Sequence, residues 1–165
     1  MRTLLDLPNS TRPERRTALV ARELAKYDID IAALSETRLS GKNQRVEVGA
    51  GYTFFWKGKD EGVRRTGGVG FAIKSNLVEK IDHPNPITDR IISLRLSLAH
   101  NRFASVISVY APTMDHDEES IQVFYNVLIN VISHIPSADK IFLLGDFNAK
   151  TSLLRRIVQW KASSE

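Results

Sequence analysis

The sequence predicts a mixed α/β domain with several antiparallel strands and helices laid outside them. Three observations predict it. Two pairs of apolar runs are each joined by a polar turn, the signature of β-hairpins. Residues 115–135 open on acidic side chains and carry an apolar stripe at helical spacing. After Pro136, the uncharged run Ile141-Phe142-Leu143-Leu144 reads as a strand buried on both faces.

Taken in order, Met1-Arg2-Thr3-Leu4-Leu5 is short and has no clear partner. Thr11 and Glu14 have capping-box spacing, and Pro13 in a first helical turn costs no hydrogen bond. The helix they open puts Val20, Leu24 and Tyr27 on one face, with Arg15, Arg22 and Lys26 toward solvent. Asp28-Ile29-Asp30 ends it. Ile31-Ala32-Ala33-Leu34 is then a short strand, followed by Ser35-Glu36-Thr37-Arg38.

Residues 52–56 and 68–73 form the first predicted hairpin. Its loop, residues 57–67, carries Lys57, Lys59, Arg64 and Arg65, and reads either as a solvated tip or as a loop gripping phosphate. In the second hairpin, Ile92, Leu94, Leu96 and Leu98 alternate with Ser93, Arg95 and Ser97, as a half-buried strand requires. The partner run, residues 103–109, ends in Tyr110-Ala111-Pro112, where the proline removes a ladder donor. The long helix offers Ile121, Phe124, Leu128, Val131, Ile132 and Ile135 to a sheet. Gly145-Asp146-Phe147-Asn148 follows the last strand. If the backbone stays extended, Asp146 and Asn148 project together and Phe147 points the other way; the alternative is a turn.

At 165 residues the chain is one domain of ordinary size, and its 42% hydrophobic content suffices for a core. The absence of cysteine excludes disulfides and thiolate metal sites. No apolar run approaches bilayer-crossing length, and the N-terminus lacks a signal-like apolar region. An intracellular protein, nuclear or cytoplasmic, is therefore expected, with no membrane partner. A net charge of +4 permits a polyanionic partner without requiring one.

Three polar groups stand at strand ends: Glu36, Tyr110, and Asp146 with Asn148. Around them, Ser35-Glu36-Thr37-Arg38-Leu39, Val109-Tyr110-Ala111-Pro112-Thr113 and Leu144-Gly145-Asp146-Phe147-Asn148-Ala149 occur in that order. In these strings the chain resembles the endonuclease/exonuclease/phosphatase family, with its Gln-Glu-Thr-Arg/Lys, Tyr-Xaa-Pro and Gly-Asp-Phe-Asn motifs. Within it the likeness is to endonuclease domains of non-LTR retrotransposons and the craniofacial development protein 2-like proteins derived from them. Gly67-Gly68-Val69-Gly70-Phe71-Ala72-Ile73 and the strand that begins at Arg90 are similar to that subgroup as well.

The resemblance implies an incomplete four-layer α/β sandwich of DNase I-like type, with the first sheet largely present and the second mostly missing. It implies a partial domain over residues 1–150 and a divergent tail over 151–165. It also implies a phosphodiester-hydrolysing site using Mg²⁺ or Mn²⁺ and acting on DNA. By that analogy Glu36 is the metal ligand and Asp146 orients or deprotonates the attacking water. Asn148 and Tyr110 contact water or phosphate, and Arg38, Arg64 and Arg65 bind the substrate backbone.

The chain also departs from the family pattern. Its match begins after the Asn that ends the family's first strand, and no Ser-Asp-His motif follows Asp146. His83, His100, His116 and His134 all precede Asp146. Two expectations follow: impaired hydrolysis, and an uncovered sheet face that favours self-association. A non-catalytic interaction remnant is the alternative.

Overall fold

A computed structural model of the chain describes residues 16–64 and 66–148. Helix α1 (Arg16–Lys26) leads into β1 (Ile31–Ser35), β2 (Lys42–Glu47), β3 (Tyr52–Lys57) and β4 (Val69–Lys74). Then come β5 (Asn85–Thr88), β6 (Ile91–Ser97), β7 (Phe103–Tyr110), helix α2 (Glu118–Ser133) and β8 (Lys140–Asp146). The strands divide into two sheets of four, ordered β1-β4-β3-β2 and β5-β6-β7-β8.

Alternation along the strands explains how two sheets stack. Phe55, Phe71 and Ile73 of the first sheet meet Ile92, Leu94 and Val106 of the second in one buried cluster. Their sequence neighbours point the other way: Phe54 and Ala72 pack with Ala21 of α1, and Ile91 and Ile107 with Phe124, Leu128 and Ile132 of α2. A period of two along a strand thus builds three apolar interfaces between four layers, α1, sheet, sheet, α2.

The two predicted hairpins are present. Tyr52 pairs with Lys74 and Lys57 with Val69 between β3 and β4, and Ile91 with Val109 between β6 and β7. β8 lies parallel to β7, pairing Tyr110 with Asp146, and α2 makes the crossover that a parallel pair needs. Asp117 caps α2: its carboxylate accepts hydrogen bonds from the Ser120 N–H at 2.7 Å and the Ser120 hydroxyl at 2.8 Å.

Four expectations change. The second sheet holds four described strands, more of the chain than the sequence assigned to it; neither β5 there nor β2 in the first sheet was foreseen, because both carry almost no apolar alternation. β2 is nearly all polar and exposed, and β5 is an edge strand containing Pro86. The inner face of the first sheet is covered, by the second sheet. Tyr27 lies beyond the end of α1 and is 73% exposed, while Thr17 and Ala21 are the buried positions of that helix. β8 is not buried on both faces: among the described residues it pairs only with β7, and Phe142 is 49% exposed. The capping pair Thr11 and Glu14, Pro13, and the tail 151–165 lie outside the described residues.

β8 is fixed at its start by a buried carboxylate. Asp139 accepts from Arg95 Nε at 2.7 Å and Nη2 at 2.8 Å, and from the Ser105 hydroxyl at 2.9 Å. Arg95 stacks over Phe103 at 3.7 Å, so β6, β7 and the turn into β8 are joined at one point. The register that follows carries Asp146 to the level of Tyr110, at the opposite end of the strand.

Candidate active site

The site forms where β1, β7 and β8 end together. β1 stops at Ser35, and Glu36 takes a left-handed backbone conformation, φ 52°. The ladder resumes one residue later: the Thr37 N–H bonds Gly68 O at 3.1 Å and the Arg38 N–H bonds Gly67 O at 2.9 Å. Glu36 is thus the extra residue of a bulge, a device that re-aims a side chain at a sheet edge. Gly68 makes it feasible. Its φ is +91°, and a Cβ there would lie 2.4 Å from Thr37 Oγ1.

From the other sheet, Tyr110 ends β7 with its side chain on the inner face. Its hydroxyl donates to Glu36 Oε1 at 2.7 Å. Two residues 74 positions apart in sequence, one from each sheet, are therefore in direct contact. Burial is the main cause that pushes the Tyr110 phenol up to about 12. The Glu36 hydrogen bond and the charges of Glu36 and Asp146 add to it, and Arg90 opposes it. A neutral tyrosine here is a committed donor.

Asp146 stands beside Tyr110 as its register partner across the parallel pair. The turn reading of Asp146-Phe147-Asn148 is the one that holds: β8 ends at Asp146, and the chain then turns. Asp146 Oδ1 accepts the Asn148 N–H at 3.1 Å, an Asx turn, and Asn148 has φ 36°. Asn148 is accordingly not an extended-strand partner of Asp146. Its Nδ2 donates to Ala111 O at 3.2 Å, tying the turn to the segment after Tyr110. Phe147 packs on the α2 side, as alternation predicts. Gly145 has φ +128°, and a Cβ would meet Val109 O at 2.0 Å, so the motif's glycine is a packing requirement.

Of the sequence-predicted residues, the structure brings together Glu36, Tyr110, Asp146 and Asn148. Arg38 is exposed, with its backbone in the left-handed region at φ 54°. Arg64 is exposed in the β3–β4 loop, and Arg65 lies outside the described residues. Sequence reasoning missed Arg90. Its carbonyl accepts the Tyr110 N–H at 2.9 Å, and its Nη1 donates to Tyr110 O at 3.2 Å. The guanidinium carbon lies 5.2 Å from the centre of the Tyr110 ring. A lone arginine before a strand carries no signal that it will fold back on a partner twenty residues on.

The family model described as "Endonuclease/Exonuclease/phosphatase family" matches residues 4–157. The chain belongs to the endonuclease/exonuclease/phosphatase family. Craniofacial development protein 2 of Bos taurus is 30% identical over 132 residues, covering 80% of this chain and 22% of the relative. The same protein of Tragulus javanicus gives the same figures. The chain thus spans about a fifth of the length of these curated relatives. Among solved structures, D. rerio TDP2 humanized by 14 mutations superposes with a TM-score of 0.58 at 16% identity, covering 84% of this chain and 57% of that one. D. rerio TDP2 complexed with a single-strand DNA product gives 0.56 at 14%, covering 84% and 56%. The endonuclease domain of TRAS1, a telomere-specific non-LTR retrotransposon, gives 0.55 at 18%, covering 82% and 54%. These likenesses establish a DNase I-like fold for this family member. No helix among the described residues is long and apolar enough to cross a membrane.

Proposed function

We propose that this domain is a phosphodiesterase-type nuclease domain of retrotransposon origin, acting on DNA with Mg²⁺ or Mn²⁺. The observation that carries it is the Tyr110–Glu36 hydrogen bond with Asp146 alongside, at the joined ends of two sheets. Membership of the family and the DNA product printed for one structural neighbour support the substrate class. An intracellular setting, nuclear or cytoplasmic, accords with such a substrate.

The donor set suits a hard cation. Glu36 and Asp146 offer oxygens only, and no group of three or more His, Asp or Glu gathers among the described residues. That is too few for an all-protein cage and enough for an ion that keeps its waters. Glu36 would hold it, and the ion would supply Lewis-acid stabilisation of charge on the phosphate oxygens.

The chain's own groups do the rest. The Tyr110 hydroxyl fixes the Glu36 carboxylate by occupying Oε1. Its single proton is committed there, so contact with a phosphate oxygen requires the hydroxyl to turn away from Glu36. Asp146 uses one oxygen in the Asx turn and keeps the other to orient or deprotonate water. One hydrogen of the Asn148 amide is bonded to Ala111, which leaves the second for a phosphate oxygen. Arg38 and Arg64, with Arg65, are proposed contacts for the flanking backbone.

A non-catalytic interaction domain is the second reading. One observation favours it: the Tyr110 hydroxyl proton, proposed for phosphate, is already committed to Glu36 Oε1. Self-association, on either reading, would use the β8 edge with Phe142, since the inner sheet face is covered.

Incubation of the purified chain with supercoiled plasmid and Mg²⁺ tests the proposal. Nicking that disappears in Glu36→Gln and Asp146→Asn is the expected result. Release of phosphate from a soluble ester without nicking would move the reading to a phosphatase. Neither activity, together with no DNA binding at low salt, would leave the interaction domain.

A further inference from the structure

We propose that Arg90, braced by His116, is a positioning residue that sets the orientation of Tyr110 toward Glu36. It rests on the phosphodiesterase reading for its catalytic consequence and on geometry alone for its structural one.

Tyr110 is gripped by one residue at three places. The Arg90 main chain takes its N–H at 2.9 Å, the Arg90 side chain takes its carbonyl at 3.2 Å, and the guanidinium lies over its ring. On the edge of the same ring stands Gly67, whose missing side chain leaves room: a Cβ there would sit 3.7 Å from Tyr110 Cε1. The phenol is the last residue of β7, where a strand end alone does not fix a rotamer. Arg90 and Glu36 hold it from the two ends.

Arg90 is in turn fixed. Its N–H bonds Thr88 Oγ1 at 3.1 Å, and its Nη2 lies 3.1 Å from His116 Nε2. A guanidinium has donors only, so Nε2 is the acceptor in this pair, and the ring N–H of that tautomer is on Nδ1. Nδ1 lies 2.9 Å from Thr113 Oγ1, the acceptor this tautomer requires. A single chain of contacts therefore runs from the loop before α2 through His116 and Arg90 to Tyr110 and Glu36.

Arg90 also forms one wall of a cleft of about 770 Å³ with Lys59, Pro112 and His116. The charges around that cleft are mixed, since Asp89, Asp117 and Glu119 line it too. Two of its five N–H groups are held by Tyr110 and His116, which seats the guanidinium against the tyrosine, and Arg90 acts on the site through that residue.

Arg90→Met keeps the length of the side chain and removes both fork and charge. In a sample with ¹³C-labelled tyrosine, the Tyr110 ring signals are expected to move in Arg90→Met, and in the same direction but less in His116→Ala. The His116 change is on the exposed surface, so it tests the brace if Arg90→Met does not fold. In plasmid nicking, kcat falls about tenfold to a hundredfold with KM little changed. Arg90→Lys recovers only part of this, because one ammonium cannot make both bonds. Added to Tyr110→Phe, Arg90→Met costs little more. Unmoved Tyr110 signals in both variants would overturn the proposal, as would an equal loss of kcat with and without the Tyr110 hydroxyl. A wild-type chain that fails to nick while its Tyr110 signals respond to Arg90→Met refutes the phosphodiesterase reading and leaves the positioning role standing.

Discussion

The Tyr110 hydroxyl donates to Glu36 Oε1 at 2.7 Å, joining the end of β7 in one sheet to the bulge after β1 in the other. The bond makes each residue's chemistry depend on the other. Glu36→Gln is expected to weaken Mn²⁺ binding at least about tenfold, because a neutral amide is a poor ligand for a hard cation. Titration calorimetry of the two proteins measures it. Equal affinity would remove Glu36 from the metal site.

The same bond predicts a pH effect. The Tyr110 phenol is pushed up to about 12 in the folded chain, from an ordinary value of 10.0. The folded state then keeps a proton that the unfolded state has released. The stabilisation is fully present below pH 10 and is lost as pH rises from 10 toward 12. In an absorbance titration of tyrosinate, Tyr110 should ionise late, as should Tyr52 and Tyr125, whose phenols burial also raises, and Tyr110→Phe should remove one tyrosine's share of that late step. In Glu36→Gln the step should move down, since the hydrogen bond and charge of Glu36 both raise it. A native-state Tyr110 that ionises near 10 would refute the assigned environment.

Asp146 has an observed structural role and a proposed catalytic one, and substitutions can separate them. Asparagine keeps an oxygen for the Asn148 N–H and so keeps the Asx turn, whereas alanine removes it. Asp146→Asn is expected to lower nicking about a hundredfold or more with an unchanged thermal melt. Asp146→Ala should lower both. A fully active Asp146→Asn chain would exclude the general-base role.

Gly145 of β8 lies beside Val109 of β7. Gly145→Ala places a methyl 2.0 Å from Val109 O, at a φ of +128° that other residues rarely adopt. The expected cost is about 2–4 kcal/mol in urea unfolding. A loss well under 1 kcal/mol would mean that β8 can shift away from β7 freely.

Asp139 tests how β8 is seated. Its side chain is 1% exposed and accepts three bonds from Arg95 and Ser105. Asp139→Ala leaves those donors unmatched and should lower the melting temperature by about 5–10 °C. Asp139→Asn, which keeps part of the network, should lie between. If both melt with wild type, the clamp contributes nothing to stability.

Much of the fold was legible in the sequence where apolar residues alternate. Ile92, Leu94 and Leu96 against Ser93, Arg95 and Ser97 give the inner and outer faces of β6 directly. The α2 stripe through Phe124, Leu128 and Ile132 does the same for a helix. Where the pattern is polar, the sequence was silent: β2 and β5 are strands because their neighbours offer a ladder edge, not because their own residues favour one. Phe142 and Tyr27 look like core residues in sequence and are exposed. An apolar side chain is buried only where a partner layer reaches it.

For the site, the sequence by itself placed a carboxylate, a phenol, and an Asp and Asn flanking a phenylalanine at strand ends. The roles proposed for them come from the motifs around them and the family those motifs resemble. The tertiary structure decided that Tyr110 donates to Glu36, and that Arg90 and His116 stand behind the tyrosine. These are contacts between residues 20 to 74 positions apart. They depend on which strands pair, in which register, and on where each sheet ends, and no local pattern of side chains encodes those three things.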